Sequence, residues 1–119
     1  MTEPRKDRLG FPLDARLSDE MLSTIEQVRL DPGGEPAKKA LIETVLKLTD
    51  AGLHEYYVRP LEQAGAGMIA MGTARLGIGT ARRGISVIVN KVLRGLGEDQ
   101  LRSIADSIEG LLIRGADET

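Results

Sequence analysis

The chain has 119 residues, of which 41% are hydrophobic and 29% are charged, and its formal net charge at pH 7 is −2. This composition is typical of one small globular domain and excludes a chain that is disordered throughout. The lack of cysteine excludes disulfides, thiolate zinc sites and a cysteine nucleophile, and the single histidine excludes every metal motif that needs two.

The amino-terminal region, residues 1–16, contains two prolines, mixed charges and few apolar residues, so we expect a flexible arm there. Part of this arm would contact the domain through Leu9, Phe11 and Leu13. No apolar run follows the charged start of the sequence, which favours a cytoplasmic location.

A single helical domain is predicted over residues 17–114, followed by a polar tail at 115–119. Ser18 is the expected N-cap of the first helix, because a hydroxyl there accepts hydrogen bonds from free amides of the first turn. Apolar residues recur after it at helical spacing, and the turn-forming sequence 31–34 ends the helix.

Three further helices complete a predicted all-α fold of about four helices. The second begins at Pro36 and runs towards Tyr57, with a kink or break expected at Pro60. The third covers 61–94 and is rich in glycine and alanine, and the last runs from about Glu98 to Ile113. The long third helix is expected to be the central element.

An internal repeat marks this third helix. Residues 72–78 and 79–85 have the same sequence except at one position, which is leucine in the first copy and arginine in the second. Seven residues make about two helical turns, so equivalent residues stack along one side of the helix. The apolar row predicted from this spacing comprises Met71, Ile78, Ile85 and Val92.

Glycines accompany the repeat in two rows, which comprise Gly65, Gly72 and Gly79 in the first and Gly77 and Gly84 in the second. Each glycine inside a helix costs about 0.5–1 kcal/mol relative to alanine, so packing must offset several kcal/mol. We therefore expect a neighbour to lie close along this helix, either another helix of the chain or the same helix of a second copy. Gly72→Leu and Gly79→Leu should then destabilise the fold or the assembly by about 1–3 kcal/mol.

The same segment is basic. No acidic residue occurs in 64–97, and by count its charge is +5, from Arg75, Arg82, Arg83, Lys91 and Arg94. Two interpretations remain open: these cations pair with carboxylates of neighbouring helices, or Arg75 and Arg82 face an anionic partner outside the chain.

These features predict a non-catalytic interaction or scaffold protein that forms a homo-oligomer or binds an acidic protein, with no cofactor or metal. The predicted partner-binding residues are Gly65, Met71, Gly72, Arg75, Ile78, Gly79, Arg82, Arg83 and Ile85.

Other functions are weighed against this one. The alternative is a peripheral protein that binds an anionic membrane surface, or an acyl ligand, through the same helix. A transmembrane span is excluded, because only 12 uncharged residues separate Glu62 from Arg75. Nucleic acid is disfavoured by the acidic net charge. An enzyme would depend on Asp50, His54 and Glu55, which lie within about one helical turn.

Overall fold

A computed structural model describes residues 10–112, and within them the fold is all-α, as predicted. The predicted arm and tail fall mostly on residues 1–9 and 113–119, which lie outside the described part. In chain order the elements are α1 (Ala15–Leu30), α2 (Glu35–Leu53), a π-helical segment (His54–Val58), α3 (Arg59–Gln63), α4 (Met68–Arg94) and α5 (Glu98–Leu111).

The first helix begins three residues before the predicted cap. Asp14 is the N-cap, and its carboxylate accepts a hydrogen bond from the Arg16 amide at 2.8 Å. Ser18 lies inside α1, where its amide donates to the carbonyl of Asp14. The prediction of Ser18 as the cap was wrong because Asp14 offers the same capping chemistry one turn earlier.

The segment before α1 contacts the domain through Phe11. Its ring stands edge-on to the Tyr56 ring, with centroids 5.4 Å apart and an interplanar angle of 87°. The same ring lies over Gly52, where an added Cβ would be 3.8 Å from it. The expected contact between this part of the arm and the domain is therefore confirmed at Phe11.

The chain stays helical through Pro60, so the predicted break there was wrong. A π-helical segment precedes the proline, and the amide of Arg59 donates to the carbonyl of His54, five residues earlier. The wider turn accommodates the pyrrolidine ring, which would otherwise clash with a carbonyl of the preceding turn. Helical structure consequently continues to Gln63.

The turn before α4 requires a glycine. Gly65 has a φ of +75°, in the left-handed region that other residues rarely adopt. The amide of Ala66 donates to Leu61 and that of Gly65 donates to Glu62, which is the hydrogen-bond pattern of a Schellman motif. The third long helix therefore begins at Met68 rather than at residue 61.

The hydrophobic core lies where α1, α2 and α5 meet the carboxyl-terminal end of α4. α1 packs on α2 and α5, and α2 also packs on α4. The buried residues of the core are Ile25, Val28, Ala37, Leu41, Ile42, Leu93, Leu101 and Ala105. Of α4 itself only Met71 and Leu93 are buried, so most of this helix lies at the surface. The prediction that it is the central element was wrong, because α1 and α2 form the middle of the core.

A salt-bridge cluster fastens α1 to α5. The Arg29 guanidinium donates to Asp106 at 2.6 Å and to Glu109 at 2.7 Å. These bonds raise the pKa of Arg29 and lower the pKa of Glu109. Between α1 and α2, Lys47 donates to Glu20 at 2.6 Å.

The molecule is more extended than a compact domain of similar size. Its radius of gyration is 16.7 Å, against about 13 Å for ~100 residues. α4 alone has 27 residues and is therefore about 40 Å long. Because only its carboxyl-terminal end enters the core, the helix presents a long free side.

Candidate functional site: the outer face of α4

One side of α4 turns away from the rest of the chain, and we call it the outer face. All of its residues are exposed. It comprises Ile69, Ala70, Thr73, Leu76, Gly77, Thr80, Ala81, Arg83, Gly84, Val87, Ile88 and Lys91. From Ile69 to Val87 this face is about 27 Å long, five turns of the helix.

Large apolar side chains stand in solvent along this face. Ile69 is 88% exposed, Leu76 70%, Val87 68% and Ile88 62%. Single exposed apolar residues are ordinary on a protein surface, but several large ones on one side of a helix, with mainly threonines and small residues between them, indicate a surface that binds a partner. The outer face is therefore the candidate interaction site of the chain.

The threonines of the outer face make their hydrogen bonds within the helix. The Thr73 hydroxyl donates to the carbonyl of Ile69 at 3.0 Å, and the Thr80 hydroxyl donates to that of Leu76 at 3.1 Å. Each hydroxyl has a partner already, so covering the face would not leave it without one. The face is thus effectively apolar despite its threonines.

No residue in the described part of the chain packs on the glycines of α4. A Cβ added at Gly72, Gly77, Gly79 or Gly84 would meet no heavy atom within 4 Å. The expectation that Gly72→Leu and Gly79→Leu would clash inside the fold is thus wrong for contacts within residues 10–112. Gly65 does not belong to the glycine row either, because it lies in the turn before the helix.

The structure assigns the cations of α4 to two groups. Arg82 bonds Asp50 at 2.7 Å, Arg75 lies 3.6 Å from Glu62, and Arg94 pairs with Glu35, whose pKa it lowers. Arg83 and Lys91 form no ion pair with the described residues; Arg83 donates only to the Thr80 hydroxyl, at 3.3 Å. Pairing with carboxylates of neighbouring helices, the first interpretation of the sequence, is therefore confirmed for Arg75, Arg82 and Arg94. The expectation that Arg75 and Arg82 face a partner outside the chain was wrong.

Three members of the apolar row predicted from the seven-residue repeat point inward, and the fourth, Val92, is 52% exposed. Met71 is buried, while Ile78 and Ile85 are half-buried on the side of α4 that carries Arg82 and faces α2. Half-buried Gly79 lies near the same side, whereas Gly72 and Arg75 are exposed beside it. The predicted partner-binding residues are accordingly divided between two sides of the helix.

Sequence reasoning missed the large exposed residues of the outer face, Ile69, Leu76, Val87 and Ile88. One signal was available in the repeat itself. Its two copies differ only where Leu76 corresponds to Arg83, and both of these residues lie on the outer face. The one position at which the two copies differ therefore lies on the exposed side of α4.

The candidate catalytic residues are engaged separately. Asp50 bonds Arg82, and Glu55 bonds Arg59 at 2.7 Å, while His54 is exposed at the start of the π-helical segment. Among residues 10–112 no group of three potential metal ligands comes together. The geometry provides no acid–base pair at this place.

A cleft between α1 and α2 has a volume of about 320 Å³ and opens widely to solvent. Its lining is largely polar and includes Glu20, Gln27 and Lys47. An acyl chain needs an enclosed apolar cavity, which this cleft does not supply. The outer face of α4 is therefore the better candidate for a binding site.

Within the described part of the chain, no helix combines the length and the apolar character needed to cross a bilayer. Comparisons with protein-family models, with curated proteins and with solved structures find no match to this chain.

Proposed function

We propose that this chain is a non-catalytic helical interaction protein that binds its partner through the outer face of α4. The observation that carries this proposal is the row of large apolar side chains that stand 62–88% exposed along the helix. Burying such a row stabilises a complex by about 25 cal/mol for each Å² of apolar surface removed from water.

The glycines support the same function. They lower the intrinsic stability of α4, and nothing in the described fold contacts them. A surface without side chains allows a partner backbone to approach closely and to gain dispersion contacts along the helix. The cost of the glycines within the chain would then be offset in the complex.

The partner is a second copy of the chain or an acidic protein. The outer face carries Arg83 and Lys91 and no carboxylate, so an acidic partner would be attracted to it. Arg75 and Arg82 are already neutralised by Glu62 and Asp50 and would contribute less. Within the predicted set, Arg83 is thus the residue through which charge would select a partner.

Photo-crosslinking tests the proposal. The sequence has no cysteine, so Leu76→Cys places a single thiol-linked crosslinker on the outer face. Leu30→Cys is the matched control, because Leu30 is similarly exposed at 79% but lies on α1. In cells that express the full chain, we expect crosslinked products of discrete mass from position 76 and only background from position 30. Equal yields from both positions would contradict the proposal.

The second candidate is attachment to an anionic membrane surface. It is favoured by Met68 and Ile69, which are 91% and 88% exposed at the start of α4, together with the cations of the outer face. Flotation with anionic and neutral vesicles tests it. Salt-sensitive binding to anionic vesicles alone would support this function, and no binding to either would exclude it.

A further inference from the structure

We propose that the partner of the outer face is the same face of a second copy of this chain. The two α4 helices lie antiparallel about a two-fold axis beside Thr80 and Ala81. This inference rests on the proposed function and names its partner. Four observations carry it: the small residues, the large residues, the internally bonded threonines and the position of the charges.

The small residues come together in this arrangement. An axis between positions 80 and 81 places Gly77 level with Gly84 of the partner subunit, and Gly84 level with the partner's Gly77. Thr80 lies level with the partner's Ala81. Because no atom of residues 10–112 lies within 4 Å of a Cβ at either glycine, the described fold leaves both open to contact another backbone. The two helices can therefore approach each other closely along this edge of the interface.

Leu76 and Val87 fill the opposite edge, whereas Ile88, four residues after Gly84, lies on the same edge as the glycines. With the same axis, Leu76 and the partner's Val87 are offset by about 3 Å along the helix direction, because they are two residues out of register and each residue rises 1.5 Å. Thr73 lies level with the partner's Ile88. Each of the large residues Leu76, Val87 and Ile88 is more than 60% exposed in the single chain. All three would be covered, which no contact within the chain achieves.

Polar groups do not oppose the pairing. The hydroxyls of Thr73 and Thr80 keep their bonds to the carbonyls of Ile69 and Leu76 when water is excluded. Arg83 lies at the edge of the face, where its guanidinium stays in water while its stem covers apolar surface. No buried donor or acceptor is left without a partner by this arrangement.

The charges select the antiparallel direction. The outer face is uncharged from Ile69 to Ala81, and its cations Arg83 and Lys91 both follow. A parallel pair would hold the two Lys91 ammonium groups at the same level and align the helix dipoles unfavourably. In the antiparallel pair the two lysines are about 31 Å apart along the axis, opposite the uncharged half of the partner. The two Arg83 residues are about 7.5 Å apart along the axis, where a parallel pair would hold them at the same level.

The size of the contact sets the expected affinity. One pair of helices buries less than the about 800 Å² per partner of a standard interface, so we expect a dissociation constant in the micromolar range. The remaining cations are alike in both copies, so added salt should leave the dimer unchanged or tighten it. Binding of an acidic protein through the same face would instead weaken with salt.

Sedimentation of the purified full chain tests the dimer. We expect the mass to rise with concentration from 12.9 kDa to twice that value. Gly84→Leu should raise the dissociation constant at least tenfold without unfolding the chain, because a side chain at that position meets open space. Gly110→Leu is the matched control: Gly110 is also open but lies on α5, so the dimer of this variant should match that of the wild type.

Disulfide trapping tests the direction. Oxidation of a mixture of Thr73→Cys and Ile88→Cys chains should give the mixed disulfide. Oxidation of either variant alone should give little disulfide-linked dimer. Self-linking of Thr73→Cys alone would show a parallel pair and overturn the arrangement. If the chain is still a monomer at 100 µM, the proposal that the partner is a second copy is wrong. If position 76 still crosslinks in cells in that case, the interaction function stands and the partner is another protein.

Discussion

Two buried threonines make a hydrogen bond between α1 and α2. Thr24 and Thr44 are 5% and 4% exposed, and their hydroxyl oxygens are 2.9 Å apart. Each hydroxyl has the other as its partner, so the pair is satisfied while it remains complete. The contribution of this hydrogen bond to stability can therefore be measured only when one of the two hydroxyls is removed.

We expect Thr24→Val to lower the free energy of unfolding by about 1–3 kcal/mol, because the buried Thr44 hydroxyl loses its partner. Thr24→Val combined with Thr44→Val should recover much of the loss, since both polar groups are then gone. Urea denaturation of the two single variants and the double variant measures this coupling. Additive losses in the double variant would show that the hydroxyls act independently.

The Arg29 cluster makes stability depend on pH. Arg29 lowers the pKa of Glu109, so the folded state binds the proton less readily than the unfolded state. The stabilisation is complete above the ordinary carboxyl pKa of about 4.3 and is lost as the pH falls through the lowered value. Below that range the protonated Glu109 no longer favours the folded chain.

Glu109→Gln should accordingly lower the urea midpoint slightly at pH 7 and have a progressively smaller effect as the pH falls below about 4. Glu43→Gln is the control, because exposed Glu43 forms no ion pair with the described residues. A constant difference between wild type and Glu109→Gln across this pH range would show that the carboxylate charge is not the cause.

At the scale of the element, α4 shows where a seven-residue repeat and a straight helix diverge. Seven residues fall about 20° short of two full turns, so a row at this spacing drifts around the helix. Met71 is buried at the start of the row, but Val92 is 52% exposed at its end. Val89 and Leu93 take the core positions instead. The repeat therefore predicted the helix correctly. It predicted the side that faces the rest of the chain only for the first half of the helix.

The glycines of α4 give a prediction for the single chain. Gly77→Ala should raise the free energy of unfolding by up to about 0.5–1 kcal/mol, because alanine favours the helix and its Cβ meets no atom. Thermal or urea unfolding near 1 µM measures the monomer. A loss of stability at this concentration would show that α4 is packed on that side within the chain.

At the scale of the whole molecule, the hydrophobic core lies at the carboxyl-terminal end of α4. Leu93 belongs to the core with Leu41 and Leu101, whereas between Met71 and Leu93 the helix has no buried residue. Stability should therefore be uneven along the helix, since local opening is easiest where few apolar contacts must break.

Hydrogen exchange measures this difference. In dilute solution we expect the amides of 72–84 to exchange much faster than those near Leu41 and Leu101. Raising the concentration into the range of the proposed dimer should slow exchange in 72–84 selectively. Uniform protection along α4 in dilute solution would contradict the uneven stability.

The sequence predicted much of this organisation because helix type depends on local periodicity and on residues such as Gly33 and Gly34 that end helices. It did not predict the π-helical turn, which depends on how the chain accommodates Pro60. It also left the partners of Arg75 and Arg82 open, since those contacts bring together residues far apart in sequence. Which side of α4 is exposed depends on those same contacts, so it could be identified only from the structure.

The outer face is also unusually rigid for a surface. Gly77, Ala81 and Gly84 have no side-chain rotamers to lose, and Thr73 and Thr80 are held by their bonds to the helix backbone. Val87 and Ile88 are β-branched and restricted at χ1. A partner that covers this face consequently immobilises few side chains. Most of the dispersion and hydrophobic free energy gained on contact would then remain as affinity.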